Sequence, residues 1–271
     1  MNSSDNLGDR MKEFYEKQSK THLLRKVPVI VRIDGKCFST FCKRFIKPFD
    51  EVLNSSLNKC MQNVCENVQG VKMGERHSDE LSFLLTDYDT ITTDAYFEYN
   101  VQKMVSVMAS MVTSEFCRKL AKCSYKTPHF GNWIEKTYLD WDEKWPTFDA
   151  RAFNLPENEI ANYFWWRILD AKRNSISMWA QANFSHKQLQ GVTSDQMQEM
   201  LFQEKGINWG NLPQGQKIGF ICLKKQIEKP ITEGPKEGEV VLRNVWTVDG
   251  SPSKKSELDE IINGLVLRKE E

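Results

Sequence analysis

The sequence predicts an α+β fold of the ferredoxin-like type, with elements in the order β-α-β-β-α-β. Three observations predict it. Residues 27–33 form an apolar run rich in β-branched side chains, as in a buried strand. Residues 73–85, MGERHSDELSFLL, read as two strands joined by a turn. Residues 50–69 and 94–120 carry apolar residues at helical spacing and separate these strands from their neighbours.

The first strand ends in a carboxylate. Asp34 and Gly35 directly follow the apolar run, and a glycine leaves the backbone free to bend there. The helix that follows is expected to begin at Asp50, whose side chain can cap its first turn. A right-handed crossover through this helix returns the chain to the same sheet.

The next strand pair places two acids, Asp79 and Glu80, at or beside a hairpin turn. Taken alone, this pattern is typical of a solvated turn, because Ser, Asp and Glu are common there. The predicted topology changes the interpretation, since it makes the first and third strands neighbours. We therefore expect Asp34 and Asp79 to converge at one end of the sheet.

The remaining elements complete the predicted organisation. The second helix leads to a fourth strand at residues 148–153. A catalytic core is expected at 1–155, with an insertion at 126–146, and a C-terminal part at 156–250 with helices and a β-hairpin. Residues 251–271 are expected to form a charged, solvated tail.

Two converging carboxylates repel each other unless a cation joins them. Carboxylate and carbonyl oxygens suit Mg²⁺, which keeps waters and substrate phosphates as its other ligands. The chemistry indicated is phosphoryl transfer assisted by two metal ions roughly 3.5–4 Å apart. A nucleotidyltransferase or a nucleotidyl cyclase with a polymerase-type palm fits this pattern. A non-catalytic RNA-binding module would not need both acids.

Four short motifs carry a resemblance to a known family: RIDGK from Arg32, HSDE from His77, LGDRMK from Leu7 and FDAR from Phe148. Together they resemble the tRNA(His) guanylyltransferase family, over about residues 7–225. The likeness is closer to its guanylyltransferase-like branch, whose enzymes extend RNA in the 3′-to-5′ direction. The resemblance implies a polymerase palm that adds nucleotides to the 5′ end of tRNA, with ATP or GTP among its NTP substrates.

The resemblance also implies roles for individual residues. Asp34 and Asp79 would be catalytic and would bind two Mg²⁺ ions with the Gly35 carbonyl, and Glu80 would be the adjacent catalytic acid. The predicted nucleotide-binding residues are Lys36, Ser78, Lys103 and Arg151, with Lys103 matching a triphosphate-binding lysine. The predicted tRNA-binding residues are Lys172, Arg173, Asn174 and Lys187.

One departure from the family bears on the substrate. Eukaryotic members carry a HINNLYN-like stretch, whereas this chain has KRNSISM from Lys172 to Met178 and keeps only Asn174. This favours template-directed repair of 5′-truncated tRNA over addition of guanosine to tRNA(His) alone. A dedicated tRNA(His) guanylyltransferase and a cyclase remain the alternatives.

The composition limits how RNA can be bound. Lys plus Arg and Asp plus Glu both number 37, so a tRNA-binding surface must be local or assembled by oligomerisation. The resemblance implies a homotetramer.

Seven cysteines without CxxC pairs, and the lack of a signal peptide or membrane-spanning run, predict a cytoplasmic protein without a zinc site. The phenylalanines between Lys36 and Lys47 recur at helical spacing and are expected in the core.

Overall fold

The computed structural model describes residues 6–124, 146–230, 232, 233 and 238–266. The predicted insertion at 126–146 lies outside these residues apart from its last position. No helix within the described ranges combines the length and hydropathy that crossing a membrane requires.

One six-stranded antiparallel sheet organises the chain, in the spatial order β4-β1-β3-β2-β5-β6. The first four strands reproduce the ferredoxin-like arrangement, so the predicted fold class and the pairing of the first and third strands are confirmed. The strand bounds are β1 Val29–Lys36, β2 Val71–His77, β3 Glu80–Leu85, β4 Thr147–Asn154, β5 Phe220–Pro230 and β6 Val240–Gly250.

Helices cover both faces of the sheet. Their bounds are α1 Leu7–Met11, α2 Phe38–Phe41, α3 Glu51–Asn67, α4 Val101–Ser124, α5 Glu157–Asn183, α6 His186–Leu189, α7 Ser194–Lys205, α8 Gln214–Ile218 and α9 Lys255–Val266. The predicted cap of α3 is confirmed, because Asp50 accepts a hydrogen bond from the Leu53 N–H at 2.9 Å. A capping box from Thr193 to Gln196 starts α7, and Gly206 ends it in the left-handed conformation.

Strand alternation divides the core into two layers. Val31, Ile33 and Phe83 face α3 and α4, and their neighbours Ile30 and Leu84 face α5 and α9. Because both faces are covered, β3 is buried along its whole length. The apolar run of the first strand follows from the same burial.

The C-terminal segment differs from the expected solvated tail. Residues 255–266 form α9, which packs on the α5 side of the sheet and buries Leu258, Ile262 and Val266. The three buried residues recur at i, i+4 and i+8, a helical stripe hidden among many charges. The expectation of a solvated tail is therefore wrong for these residues.

The predicted C-terminal β-hairpin is confirmed as β5 and β6, which pair along eleven residues each. It continues the sheet formed by β1 to β4, because β5 pairs with β2 from Met73↔Leu223 to Arg76↔Phe220. This places Phe220 beside the strand that leads to the Asp79 turn.

Candidate active site

The end of β1 meets the turn between β2 and β3. Because β1 and β3 are antiparallel neighbours, the last residues of β1 lie beside the first residues of β3. A Cβ atom on Gly35 would lie 2.7 Å from the Asp79 carboxylate and would overlap the Phe38 ring. Only glycine permits this approach. The predicted convergence of the Asp34 and Asp79 segments is thus confirmed.

The turn holds Asp79 in a defined position. His77 pairs with Glu80, which leaves Ser78 and Asp79 as the turn residues. Ser78 has a φ of 49°, in the left-handed region that non-glycine residues seldom occupy. Its hydroxyl donates a hydrogen bond to Asp79 Oδ1 at 2.9 Å. Burial raises the pKa of the Asp79 carboxyl above its ordinary value; the Ser78 hydrogen bond opposes this shift, and the Asp34 carboxylate adds to it.

These features fit a divalent cation with few protein ligands. The described part of the chain holds no group of three or more His, Cys, Asp and Glu side chains arranged to bind a metal. The donors are the carboxylates of Asp79 and Asp34, and the Asp34 charge disfavours the ionised form of Asp79. Gly35 lies against Asp79 and has no side chain to cover its own backbone. Mg²⁺ suits such a set, because it retains waters and takes phosphate oxygens as ligands.

A cavity of about 440 Å³ opens beside Asp79. Its walls come from the segment between β1 and α3, the first turns of α3, and one residue of α5. Most of its lining side chains are apolar, with the acidic and amide groups at Asp50, Asn54 and Asp79. The apolar lining residues are Cys37, Phe38, Cys42, Phe45, Ile46, Pro48, Phe49, Leu53, Leu57 and Met178.

The polar floor of this cavity is anchored to the backbone. Asp50 is buried and accepts hydrogen bonds from the Leu53 N–H and, at 3.2 Å, from the Ile46 N–H. Asn54 donates to the Asp50 carbonyl at 3.0 Å. The cavity shape is therefore set before any ligand enters, which is usual for small-molecule sites.

Glu80 faces away from the cavity. Its carboxylate pairs with Arg167 of α5, Nε to Oε1 at 2.6 Å and Nη2 to Oε2 at 2.8 Å, and also with Arg32. Arg167 Nη2 lies 3.1 Å from His77 Nε2 as well. Strand alternation sends Glu80 and Asp79 to different surroundings. Glu80 thus joins β3 to α5 in this structure, and its catalytic role stays a prediction.

The predicted nucleotide-binding residues are spread over the molecule. Ser78 lines the cavity, and Lys36 is exposed at the end of β1 that carries Asp34. Arg151 lies opposite Arg32 in β4, with its guanidinium 3.5 Å from the Asp149 carboxylate. Asp149 pairs with Asp34 across the strands, a third acid that the sequence analysis missed.

Lys103 lies at the opposite end of the sheet. Its N–H is held by Asn100, which bridges to His22 near the start of β1. In contrast, Phe116 further along α4 packs against Phe38 beside Gly35. The rise between residues 103 and 116 is about 20 Å. Lys103 therefore does not reach the Asp79 cavity of its own chain, and its role with triphosphate stays a prediction.

Three of the four predicted tRNA-binding residues lie at the active end of α5. Lys172, Arg173 and Asn174 are exposed and lie between Arg167, which pairs with Glu80, and Met178, which lines the cavity. Lys187 is exposed on α6. α5 thus presents exposed polar groups between Arg167 and Met178, and their contact with tRNA stays a prediction.

Sequence reasoning missed both the cavity and the buried arginines around it. The phenylalanines at 38–45 were expected in the core, and Phe38 and Phe45 are indeed buried. Pro48 and Phe49 form the cavity wall without a recognisable motif. The signal that was available is a charge among the apolar positions of α5, at Arg167. Arg76 stands between Glu75 and His77, so the sequence of β2 does not mark it as buried.

Comparison with known proteins identifies the family of the chain. A family model described as tRNAHis guanylyltransferase matches residues 8–156. A solved bacterial tRNA(His) guanylyltransferase (Thg1)-like protein in complex with ATP is 38% identical, with a TM-score of 0.78 over 97% of this chain and 100% of that chain. The corresponding protein in complex with GTP is 36% identical, with a TM-score of 0.76 over the same shares.

A curated relative extends the agreement to eukaryotes. The tRNA(His) guanylyltransferase of Saccharomyces cerevisiae is 30% identical over 227 residues, which cover 78% of this chain and 89% of the yeast protein. The matched family region contains both Asp34 and Asp79, the residues that converge beside the cavity. The chain therefore belongs to the tRNA(His) guanylyltransferase family and is a 3′-to-5′ nucleotidyltransferase.

Proposed function

We propose that this protein adds nucleotides to the 5′ end of tRNA in a template-directed manner and thereby repairs 5′-truncated tRNA. The observation that carries this proposal is the Asp79 carboxylate, which lies against Gly35 and beside Asp34 at the mouth of a 440 Å³ cavity. This combination offers a place for a nucleotide next to two carboxylates that call for a cation.

The reaction forms one bond and breaks another at a 5′ phosphorus. The 3′-hydroxyl oxygen of the incoming NTP attacks this phosphorus and loses its proton, and pyrophosphate leaves from a 5′-triphosphate, or AMP from an adenylylated end. Bound Mg²⁺ would supply a lowered hydroxyl pKa and charge neutralisation on the leaving group. Asp34 and Asp79 would hold the two ions with the Gly35 carbonyl, and Ser78 would keep the Asp79 carboxylate oriented.

The cavity supports NTP binding. Its apolar walls can enclose a purine ring, and the Asp79 side of the cavity is where the triphosphate would meet the carboxylate pair. Because related bacterial proteins are described in complex with ATP and with GTP, we expect this cavity to accept either purine. Lys36, which is exposed at the end of β1, would contact phosphate.

The tRNA would lie against α5. Lys172, Arg173 and Asn174 are exposed on this helix between Arg167 and the cavity-lining Met178, and Lys187 is exposed on α6. The balanced net charge means that one chain presents only a local basic surface. A homotetramer, as the family resemblance implies, would supply further tRNA contacts and would be formed in the cytoplasm.

The segment KRNSISM on α5 supports repair over histidine-specific addition. It lacks most of the HINNLYN-like residues, so a nucleotide would be chosen through pairing with the opposite strand of the acceptor stem. A correct pair aligns the 3′-hydroxyl, whereas a mismatch misplaces it. A displacement of about 1 Å can lower the rate on the order of a hundredfold.

The test uses one tRNA body lacking its first 5′ nucleotide, with Mg²⁺ and single NTPs. With C as the unpaired template base we expect G to be added, with A we expect U, and with G we expect C. Addition of G opposite every template base would instead identify a dedicated guanylyltransferase. Incubation with labelled ATP or GTP alone is the control, because a nucleotidyl cyclase would convert the nucleotide without tRNA.

A further inference from the structure

A buried arginine lies directly behind the Asp79 turn. Arg76 of β2 is 1% exposed, and each of its three guanidinium nitrogens donates a hydrogen bond. Nε donates to Asn58 Oδ1 at 2.8 Å, Nη2 to Asn54 Oδ1 at 3.1 Å, and Nη1 to the Ser78 carbonyl at 2.7 Å. The guanidinium also stacks 4.6 Å from the ring centroid of Phe220, its register partner in β5.

These partners are unusual for a buried charge because all of them are neutral. Within the described residues, no carboxylate forms an ion pair with Arg76, although other buried arginines such as Arg167 do so. Burial lowers the pKa of Arg76 to about 10, which still leaves it protonated at neutral pH. Burial of this cation costs free energy, which the nearby charges of Glu75 and Asp79 offset only in part. Packing alone would be served better by an apolar side chain.

The three acceptors belong to two segments, α3 and the turn between β2 and β3, whose relative position shapes the candidate site. Asn54 and Asn58 lie on α3, and Asn54 lines the nucleotide cavity. The Ser78 carbonyl belongs to the turn that carries Asp79, where Ser78 occupies the left-handed region. A planar guanidinium can reach three acceptors spread around it, whereas the three donors of a lysine share one nitrogen and an apolar residue has none.

We propose that Arg76 is a positioning residue that ties the metal-binding turn to the nucleotide cavity. By holding the Ser78 carbonyl against α3, it keeps the Asp79 carboxylate beside Gly35 in a conformation that Ser78 alone would not favour. This inference rests on the proposed function, because it takes Asp34 and Asp79 as the Mg²⁺ ligands. It assigns Arg76 no contact with substrate or metal.

The experiment compares Arg76→Met and Arg76→Lys with the wild-type protein. Binding of Mn²⁺, used in place of Mg²⁺, is measured by electron paramagnetic resonance with ATP present and tRNA absent. We expect Arg76→Met to weaken Mn²⁺ binding about tenfold or more and to lower kcat for nucleotide addition on the order of a hundredfold. Arg76→Lys keeps the charge but lacks the planar guanidinium, so it should restore only part of the Mn²⁺ binding and kcat that Arg76→Met loses. The Kd for tRNA should stay within about twofold.

Arg25→Met is the matched control. Arg25 likewise joins separate segments of the chain, through the Asp87 carboxylate at 2.6 Å and the Thr93 carbonyl at 3.2 Å, but at the far end of the sheet. It should leave Mn²⁺ binding and kcat unchanged. A folded Arg76→Met protein with wild-type Mn²⁺ binding and kcat would overturn the proposal.

A second variant decides the matter if Arg76→Met does not fold. Asn58→Leu removes one Arg76 acceptor at the edge of the buried region and should weaken Mn²⁺ binding by a smaller, measurable factor; unchanged binding would count against the proposal. Because Mn²⁺ binding needs no tRNA, this result is independent of the repair activity. A wild-type protein that binds Mn²⁺ but adds no nucleotide would refute the proposed function. Mn²⁺ binding by the Arg76 variants could still be compared with that of the wild type.

Discussion

At the residue scale, the central group is the Asp79 carboxylate. Its pKa is raised by burial and by Asp34, so the folded protein disfavours the ionised form that a metal requires. The cost of ionisation is therefore present above the folded pKa and disappears below the ordinary pKa of an aspartate. A bound cation would offset this cost, which makes the site dependent on both metal and pH.

This leads to a prediction for Asp79→Asn without metal. At pH 7 the variant should unfold at a higher temperature than the wild type, by about 2–4 °C for each kcal/mol of repulsion removed. The gain should disappear in acid, where the wild-type carboxyl is protonated in both states. Thermal melts at several pH values measure it. A variant that is less stable at pH 7 would contradict the assigned electrostatics.

The same residues should control activity. Asp34→Ala and Asp79→Ala should each abolish nucleotide addition and leave the far-ultraviolet circular dichroism unchanged, because neither change opens a core cavity. The assay is one-nucleotide growth of 5′-truncated tRNA at saturating Mg²⁺. Near-normal turnover in either variant would remove that residue from the metal site.

At the scale of elements, α5 is joined to the hairpin by buried charge. Arg167→Met would leave Glu80 buried without its main partner and should lower the free energy of unfolding by about 3–5 kcal/mol. Arg173→Met is the control on the same helix, since Arg173 is exposed and, among the described residues, forms an ion pair with Asp170 alone. It should cost about 0–1 kcal/mol in the same urea titration. Equal effects of the two changes would argue against the structural role of Glu80.

The C-terminal helix gives a second prediction at this scale. Leu258 is buried on α9 against the α5 side of the sheet, so Leu258→Ala should destabilise the protein by about 2–5 kcal/mol. Glu257→Ala, one residue earlier and exposed, should change stability by less than about 0.5 kcal/mol. If both variants melt like the wild type, α9 does not pack as described.

At the scale of the whole molecule, Lys103 lies too far from Asp79 to reach the same cavity. A lysine about 20 Å along α4 from the site can bind the triphosphate only in a second copy of the chain. We therefore expect Lys103→Ala and Asp79→Ala proteins, each inactive alone, to regain part of the activity when they are mixed and allowed to exchange chains.

The mixing experiment also separates the possible roles of Lys103. An active Lys103→Ala protein would show that the residue is a solvated position on α4, as its sequence context alone suggests. An inactive protein that is not rescued by mixing would instead point to a local structural role near Asn100 and His22. Size-exclusion chromatography of the mixture checks that oligomers form.

What the sequence determined by itself is the ferredoxin-like topology and the convergence of Asp34 with Asp79. Both depend on local patterns, an apolar run before Asp34, alternation around residues 73–85 and helical spacing between them, and on the handedness of the crossover. Motifs of consecutive residues then indicated the family. These signals survive without coordinates because each is contained in a short stretch of chain.

Only the tertiary structure decided which charges are structural. Glu80 adjoins Asp79 in sequence, yet it pairs with Arg167, 87 residues away. Lys103 is separated from the site by about 20 Å along α4. Arg76 and Asn54 meet because β2 packs on α3. The cavity wall at Pro48 and Phe49 likewise depends on contacts between distant segments. Such contacts leave no periodic trace in the sequence, because a single buried side chain is specified by its neighbours in space.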